Sequence, residues 1–101
     1  MSKITAWVKI PLKAGVRDDA IAYFEANAHH VAAETGTEVY ILHVDDKDPD
    51  VIYMYERYSD QDGFNAHVGA EWFQKFFPGM AEFVSGNAEF TLLRPVSGKG
   101  L

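Results

Sequence analysis

Cysteine is absent from the 101-residue chain, which removes disulfides, thiolate nucleophiles, Cys-ligated zinc and iron–sulfur clusters from consideration. Basic residues are scarce. Nine Lys and Arg against fifteen Asp and Glu give a formal net charge of -6, whereas nucleic acid and anionic lipid both require clustered cations to displace counterions. Neither nucleic acid nor a membrane surface is therefore an expected partner. No apolar run approaches the roughly 20 residues that cross a bilayer. The stretch from Met1 to Gly15 is interrupted by Lys9 and Lys13, so it lacks the continuous apolar centre of a secretion signal. The expectation is a soluble, cytoplasmic chain. Also missing are a phosphate-binding glycine loop, a dinucleotide fingerprint, a nucleophile elbow and a zinc signature. No cofactor and no metal are expected, and any catalysis has to proceed without a conventionally bound nucleotide.

Large apolar side chains, in contrast, are plentiful: 48% of the residues are hydrophobic and 14% aromatic. That exceeds what a small monomer needs, and it predicts that part of the surface is covered by another copy of the chain. The length suits one domain, residues 1–101, with about 96–101 (Ser97-Gly98-Lys99-Gly100 and its neighbours) as a loose tail.

Ile4 to Leu12 alternates, with Ile4, Ala6, Val8 and Ile10 on one face and Thr5, Trp7 and Lys9 on the other, and ends at Pro11 and the Ala14-Gly15 turn. From Val16 to about Glu34 the period becomes helical, with Ala20, Ile21, Phe24, Ala28 and Val31 in one stripe. Asp18 and Asp19 lie in the first turn, where carboxylates complement the helix dipole, and Gly36 is expected to close the helix as a glycine just past its end. Glu38 to Val44 and Val51 to Tyr58 form two β-rich runs joined by the polar link 45–50, an antiparallel hairpin. A helical region begins near Asp60 with Ser59 as N-cap, breaks at Gly69-Ala70 and again at Pro78-Gly79, and continues through Met80 to Val84. Ala88 to Arg94 is a last strand. The order β-α-β-β-α-β predicts an α+β, ferredoxin-like fold with both helices on one face of an antiparallel sheet. The strands are apolar on both sides, since Tyr53 and Tyr55 alternate with Ile52 and Met54. The free face is therefore expected to pack on the sheet of a second subunit in a homodimer.

The chemistry concentrates in Phe64 to Phe77. His67 follows Phe64 by three residues, on the apolar side of its helix, and a neutral imidazole accepts a proton near neutral pH. This makes His67 the leading general-base candidate. A histidine so placed is also the ordinary guise of a core residue with satisfied ring nitrogens. Likewise Trp72, Phe73, Phe76 and Phe77 could line a flat pocket or simply build the core. His29 and His30 are adjacent, about 100° apart on a helix, so they cannot chelate one metal. Tyr23, Asn27, His30 and Glu34 share one helix flank, where they could rim a pocket or face solvent, with solvent or a subunit contact the leading reading. His43 precedes an acidic loop that lacks the glycine and terminal glutamate of a calcium site. Glu56 is a carboxylate in a strand that should be buried. Pairing with Arg94 or with Arg57 of another subunit is the leading reading, and orientation of a catalytic group the other.

Three patches occur in order along nearly the whole chain: a first strand running into Lys13-Ala14-Gly15, then Glu34-Thr35-Gly36 before Tyr40, then Tyr55-Glu56-Arg57-Tyr58 followed by Ala66-His67-Val68 and Trp72-Phe73. Together with Phe90 to Pro95 as a closing strand, they resemble the antibiotic biosynthesis monooxygenase superfamily of small dimeric α+β barrels. The resemblance implies a cofactor-independent monooxygenase, with a small aromatic substrate (a quinol or polycyclic phenol) and dioxygen as partners. It implies His67 as the base, Tyr53 or Tyr55 as a phenolic hydrogen-bond donor, and Trp72, Phe73 and Phe76 against the ring. A related branch isomerises small molecules by proton transfer, and other members bind small molecules without turnover, so both remain alternatives. The haem-cleaving branch relies on an asparagine, a tryptophan and a histidine whose positions fall here on Val8, His67 and Phe77, which disfavours haem degradation.

Overall fold

The computed structural model describes residues 2–101, so Met1, the first residue of the expected domain, lies outside the described residues. Four antiparallel strands, β1 (Ile4–Pro11), β2 (Thr37–Asp45), β3 (Asp48–Tyr58) and β4 (Glu89–Leu93), form one sheet in the order β2-β3-β1-β4. Between β1 and β2 lie α1 (Arg17–Ala26) and α2 (Ala28–Ala32). Between β3 and β4 lie α3 (Gln61–Gly69), α4 (Glu71–Gly79) and a 3₁₀ turn at Met80–Glu82. This is the expected α+β, ferredoxin-like arrangement. Central strand β1 pairs with β3 through Ala6↔Glu56 and Val8↔Met54, and with β4 through Ala6↔Leu92 and Val8↔Phe90.

The alternation read from β1 fixes the core. Ala6, Val8 and Ile10 are buried with Ile52, Met54 and Phe76 beneath the helices, where each of these side chains larger than alanine contributes about 1.5–3 kcal/mol of hydrophobic stabilisation. Thr5, Trp7 and Lys9 point the other way. On that outer face the Trp7 ring rests against Tyr55 (4.8 Å between centroids) and His43 (5.8 Å), and Trp7, Ile41 and Leu93 remain exposed.

Four local expectations require correction. The helix expected over 16–34 is two helices, because the Asn27 amide nitrogen bonds back to the carbonyl of Tyr23 (2.9 Å) and its backbone leaves helical geometry. The hairpin link is tighter than 45–50: strand pairing continues to Asp45↔Asp48, leaving Asp46 and Lys47 as the turn. The N-cap of α3 is Asp60, not Ser59; its carboxylate accepts from the Gly63 N–H at 2.8 Å. Gly36 does not serve as a left-handed helix terminator, since positive φ is confined to Gly15, Gly98 and Gly100 among the described residues. A Cβ there would stand 2.6 Å from the Cα of Gly63. Glycine at both positions lets the chain entering β2 touch the first turn of α3.

Candidate active site

That contact between Gly36 and Gly63 brings together two distant pieces of sequence, the turn after α2 and helix α3. Glu34 lies in the turn and His67 on α3. The Nδ1 of His67 is 2.8 Å from Oε1 of Glu34, and the imidazole is 2% exposed. The glutamate is itself held. The Thr37 hydroxyl donates to Oε1 at 2.7 Å, and the Trp72 indole N–H donates to Oε2 at 2.9 Å. Glu34 therefore faces inward, which corrects its leading reading as a solvent-facing or subunit-contact residue in favour of the pocket-rim alternative. His30, from the same expected flank, lies flat against Trp72 with centroids 5.2 Å apart.

A carboxylate accepting at Nδ1 assigns the proton to that nitrogen. The lone pair of the neutral ring then sits on Nε2, the nitrogen left to exchange a proton with a ligand. The carboxylate also stabilises the imidazolium that forms when Nε2 takes a proton, the role that the third member plays in a hydrolytic triad.

The imidazole is enclosed by aromatic rings: Phe73 at 4.8 Å, Tyr40 at 5.3 Å, Tyr58 at 5.4 Å and Trp72 at 5.5 Å between centroids. The break at Ala70, extended between α3 and α4, turns Trp72 and Phe73 back onto the histidine. His67, Phe73 and Phe76 line a cavity of about 60 Å³ whose other walls include Val8, Met54 and Phe90. A second cavity of about 110 Å³ lies behind Tyr40, Met54 and Phe76 and is bordered by Trp72. Movement of that shared wall would join the two and reach the roughly 150 Å³ at which an apolar cavity accepts a benzene ring.

Of the residues expected at the site, His67, Trp72, Phe73 and Phe76 are gathered here. Tyr53 and Tyr55 are not. Both alternate with the core residues of β3 and lie on the outer face, level with Lys9 and Trp7 of β1, so within one subunit neither lines the cavity of His67. The tyrosine in the cavity wall is Tyr40 of β2. Burial, then the carboxylates of Glu56 and Glu34, push its hydroxyl pKa upward, so it stays a donor.

Glu56 also differs from expectation. Its partner is neither arginine but the buried Tyr58, whose hydroxyl donates to Oε1 at 2.5 Å. Glu56 lines the cavity of His67. Burial drives its pKa up to about 7; the Tyr58 hydrogen bond opposes this and the charge of Glu34 adds to it. Among the described residues no group of three or more His, Asp or Glu side chains is placed to hold a metal ion, and no helix is long and apolar enough to cross a membrane.

Sequence reasoning missed Tyr40, and for Glu34 it ranked the pocket-rim reading behind solvent or a subunit contact. Glu34 carried one signal: a carboxylate close after a helix C-terminus is electrostatically disfavoured there and calls for a partner elsewhere.

Comparison with known proteins adds a family. The model described as antibiotic biosynthesis monooxygenase matches residues 3–79. No curated protein matches the chain. Among solved structures, Rv0793 from Mycobacterium tuberculosis superposes with a TM-score of 0.87 at 18% identity, covering 98% of this chain and 100% of its own. PA3566 from Pseudomonas aeruginosa gives 0.83 at 24% identity, with 96% and 97% covered. A Caulobacter crescentus CB15 protein named for the same family gives 0.88 at 22% identity, with 95% and 92% covered. At these identities the likeness establishes the fold.

Proposed function

Since the chain belongs to the antibiotic biosynthesis monooxygenase family, we propose that it is a cofactor-independent monooxygenase that oxidises a quinol or polycyclic phenol with dioxygen. The observation that carries this reading is the Glu34–His67 pair at the edge of an apolar, aromatic cavity. An electron-rich phenol supplies its own electrons once deprotonated, so the protein needs a base, an apolar space that admits oxygen, and donors for the developing anion.

His67 Nε2 removes the acidic proton and Glu34 stabilises the resulting imidazolium. The substrate anion reduces dioxygen and forms a carbon–oxygen bond, and the imidazolium returns its proton to the peroxide oxygen. At a ring carbon that carried two hydrogens, loss of water then leaves a carbonyl, so dioxygen ends as one carbonyl oxygen and one water. Tyr40 offers a hydroxyl to the substrate oxygen, while Phe73, Phe76 and Trp72 contact the ring.

At about 60 Å³ the cavity is smaller than the roughly 150 Å³ at which an apolar cavity accepts a benzene ring, so it holds a ring only after its wall moves. Its small size favours a second reading, proton-transfer isomerisation or binding of a smaller molecule at the same dyad. Two copies pairing through the outer sheet face would bury Trp7, Ile41 and Leu93, which are between 42% and 53% exposed in the single chain, and would place Tyr53 and Tyr55 within the dimer.

Oxygen uptake with a panel of hydroquinones and anthrones, with and without chelator, tests the monooxygenase reading. Chelator-insensitive uptake supports it, and absence of uptake from every compound that binds overturns it. Product formed anaerobically with solvent proton exchange identifies the isomerase instead.

A further inference from the structure

The cavity of His67 has a second ionisable group in its wall, for which the proton transfer above has no use. Glu56 lies on the helix-facing side of β3, paired in register with Ala6 on one side and Tyr40 on the other, and is 8% exposed. Its Oε1 is occupied by the Tyr58 hydroxyl, which is itself fully buried, and this pins the carboxyl's orientation. No Lys or Arg lines the cavity; the walls near Glu56 are Ala6, Val8, Met54 and Phe rings, with Tyr40 and His67 the other polar side chains. The titratable groups facing Glu56 are Tyr58 from its own strand, Tyr40 from β2, His67 from α3 and Glu34 from the turn after α2. None is a fixed cation. Such surroundings favour an uncharged carboxyl, which carries one O–H donor.

We propose that Glu56 is the ligand-anchoring acid of this site: a neutral carboxyl, oriented by Tyr58, that donates from Oε2 to a phenolic or carbonyl oxygen of the ligand. The inference rests on the placement of the ligand in the His67 cavity and narrows its class to rings bearing an oxygen acceptor. An anchored oxygen opposite the base fixes the ring and stabilises negative charge that develops on that oxygen as His67 removes a proton, as other sites do with a protonated carboxyl. The upward shift caused by burial agrees with this geometry.

The test is binding rather than turnover, so it stands apart from the monooxygenase reading. Phenol and toluene have nearly the same shape and differ in the oxygen, and phenol stays neutral across the range used. Titration of the wild-type chain with each is expected to show phenol affinity weakening roughly tenfold from about pH 6 to about pH 8, as the acid ionises, while toluene affinity stays flat. In Glu56→Gln, whose amide donates at any pH, phenol affinity is expected to be flat, and retained toluene binding shows that the cavity is intact. A pH dependence that survives in Glu56→Gln belongs to His67 and overturns the proposal, as does toluene tracking phenol in the wild type. In the unsubstituted chain, with glutamate carboxyls labelled with carbon-13, the Glu56 resonance should titrate near neutrality and shift with phenol but not toluene. Ordinary acidic titration of that resonance would overturn it equally. Oxygen uptake without these signatures removes the anchoring role alone; these signatures without oxygen uptake remove the monooxygenase alone.

Discussion

Nδ1 of His67 and Oε1 of Glu34 stand 2.8 Å apart although 33 residues separate them in the chain. The glutamate sets the tautomer and the histidine supplies the reacting nitrogen, so the pair should fail as a unit. Glu34→Gln can keep an acceptor for Trp72 and offer its N–H₂ to Nδ1, which moves the ring proton to Nε2 and blocks the lone pair. Turnover of an oxidisable phenol should fall roughly 10²–10⁴-fold, the usual contribution of a positioned base. The fall should be in kcat with little change in ligand binding. Steady-state oxygen consumption beside a binding titration checks both halves.

Glu56 gives a stability prediction whose sign follows from its shift. A glutamate raised from 4.5 to about 7 by burial binds its proton more tightly folded than unfolded. Its stabilising contribution is complete below the unfolded value and is lost as pH rises through about 7. Relative to Glu56→Gln, wild-type stability should decline between about pH 5 and pH 8 by on the order of 3 kcal/mol. Urea denaturation of both chains at several pH values measures the gap, and a constant gap would show that the buried carboxyl ionises normally.

The glycine contact should tolerate little. Gly36→Ala places a Cβ 2.6 Å from the Gly63 backbone, where only main-chain movement relieves the clash, so a cost of about 1–3 kcal/mol is expected. Because this contact seats Glu34 beside α3, the variant should also weaken the His67–Glu34 hydrogen bond. The Nδ1–H proton resonance of His67 would report that loss alongside the melting curve.

A charge on the outer face tests the dimer. Ile41→Glu puts a carboxylate where two largely apolar sheet faces would meet. Sedimentation at micromolar concentration should show wild-type dimers and variant monomers. A monomeric wild type would remove the need for a partner on that face.

How much of this was legible in the sequence depended on whether the signal was local. The β1 alternation from Ile4 to Ile10 is a period-two pattern, and its faces were assigned correctly. The break at Gly69-Ala70 was also legible, and it is what turns Trp72 and Phe73 onto His67. Glu34 was misplaced because one amide, that of Asn27, ends α1 early, and a uniform helix carried past that point points Glu34 the wrong way. Tyr53 and Tyr55 are attractive by residue type, yet their strand parity places them opposite the core residues Ile52 and Met54. Tyr40 reaches the cavity because β2 pairs with β3 in the register that sets it beside Glu56, a long-range fact that no local pattern carries.

The central claim is that His67 acts as the base of an oxygen-consuming reaction. The most direct measurement compares oxygen uptake by the wild type and His67→Ala at saturating concentration of the best substrate from a hydroquinone and anthrone panel. The account predicts rapid uptake by the wild type that drops roughly 10²–10⁴-fold in the variant while the substrate still binds. Equal uptake by the two chains would contradict it.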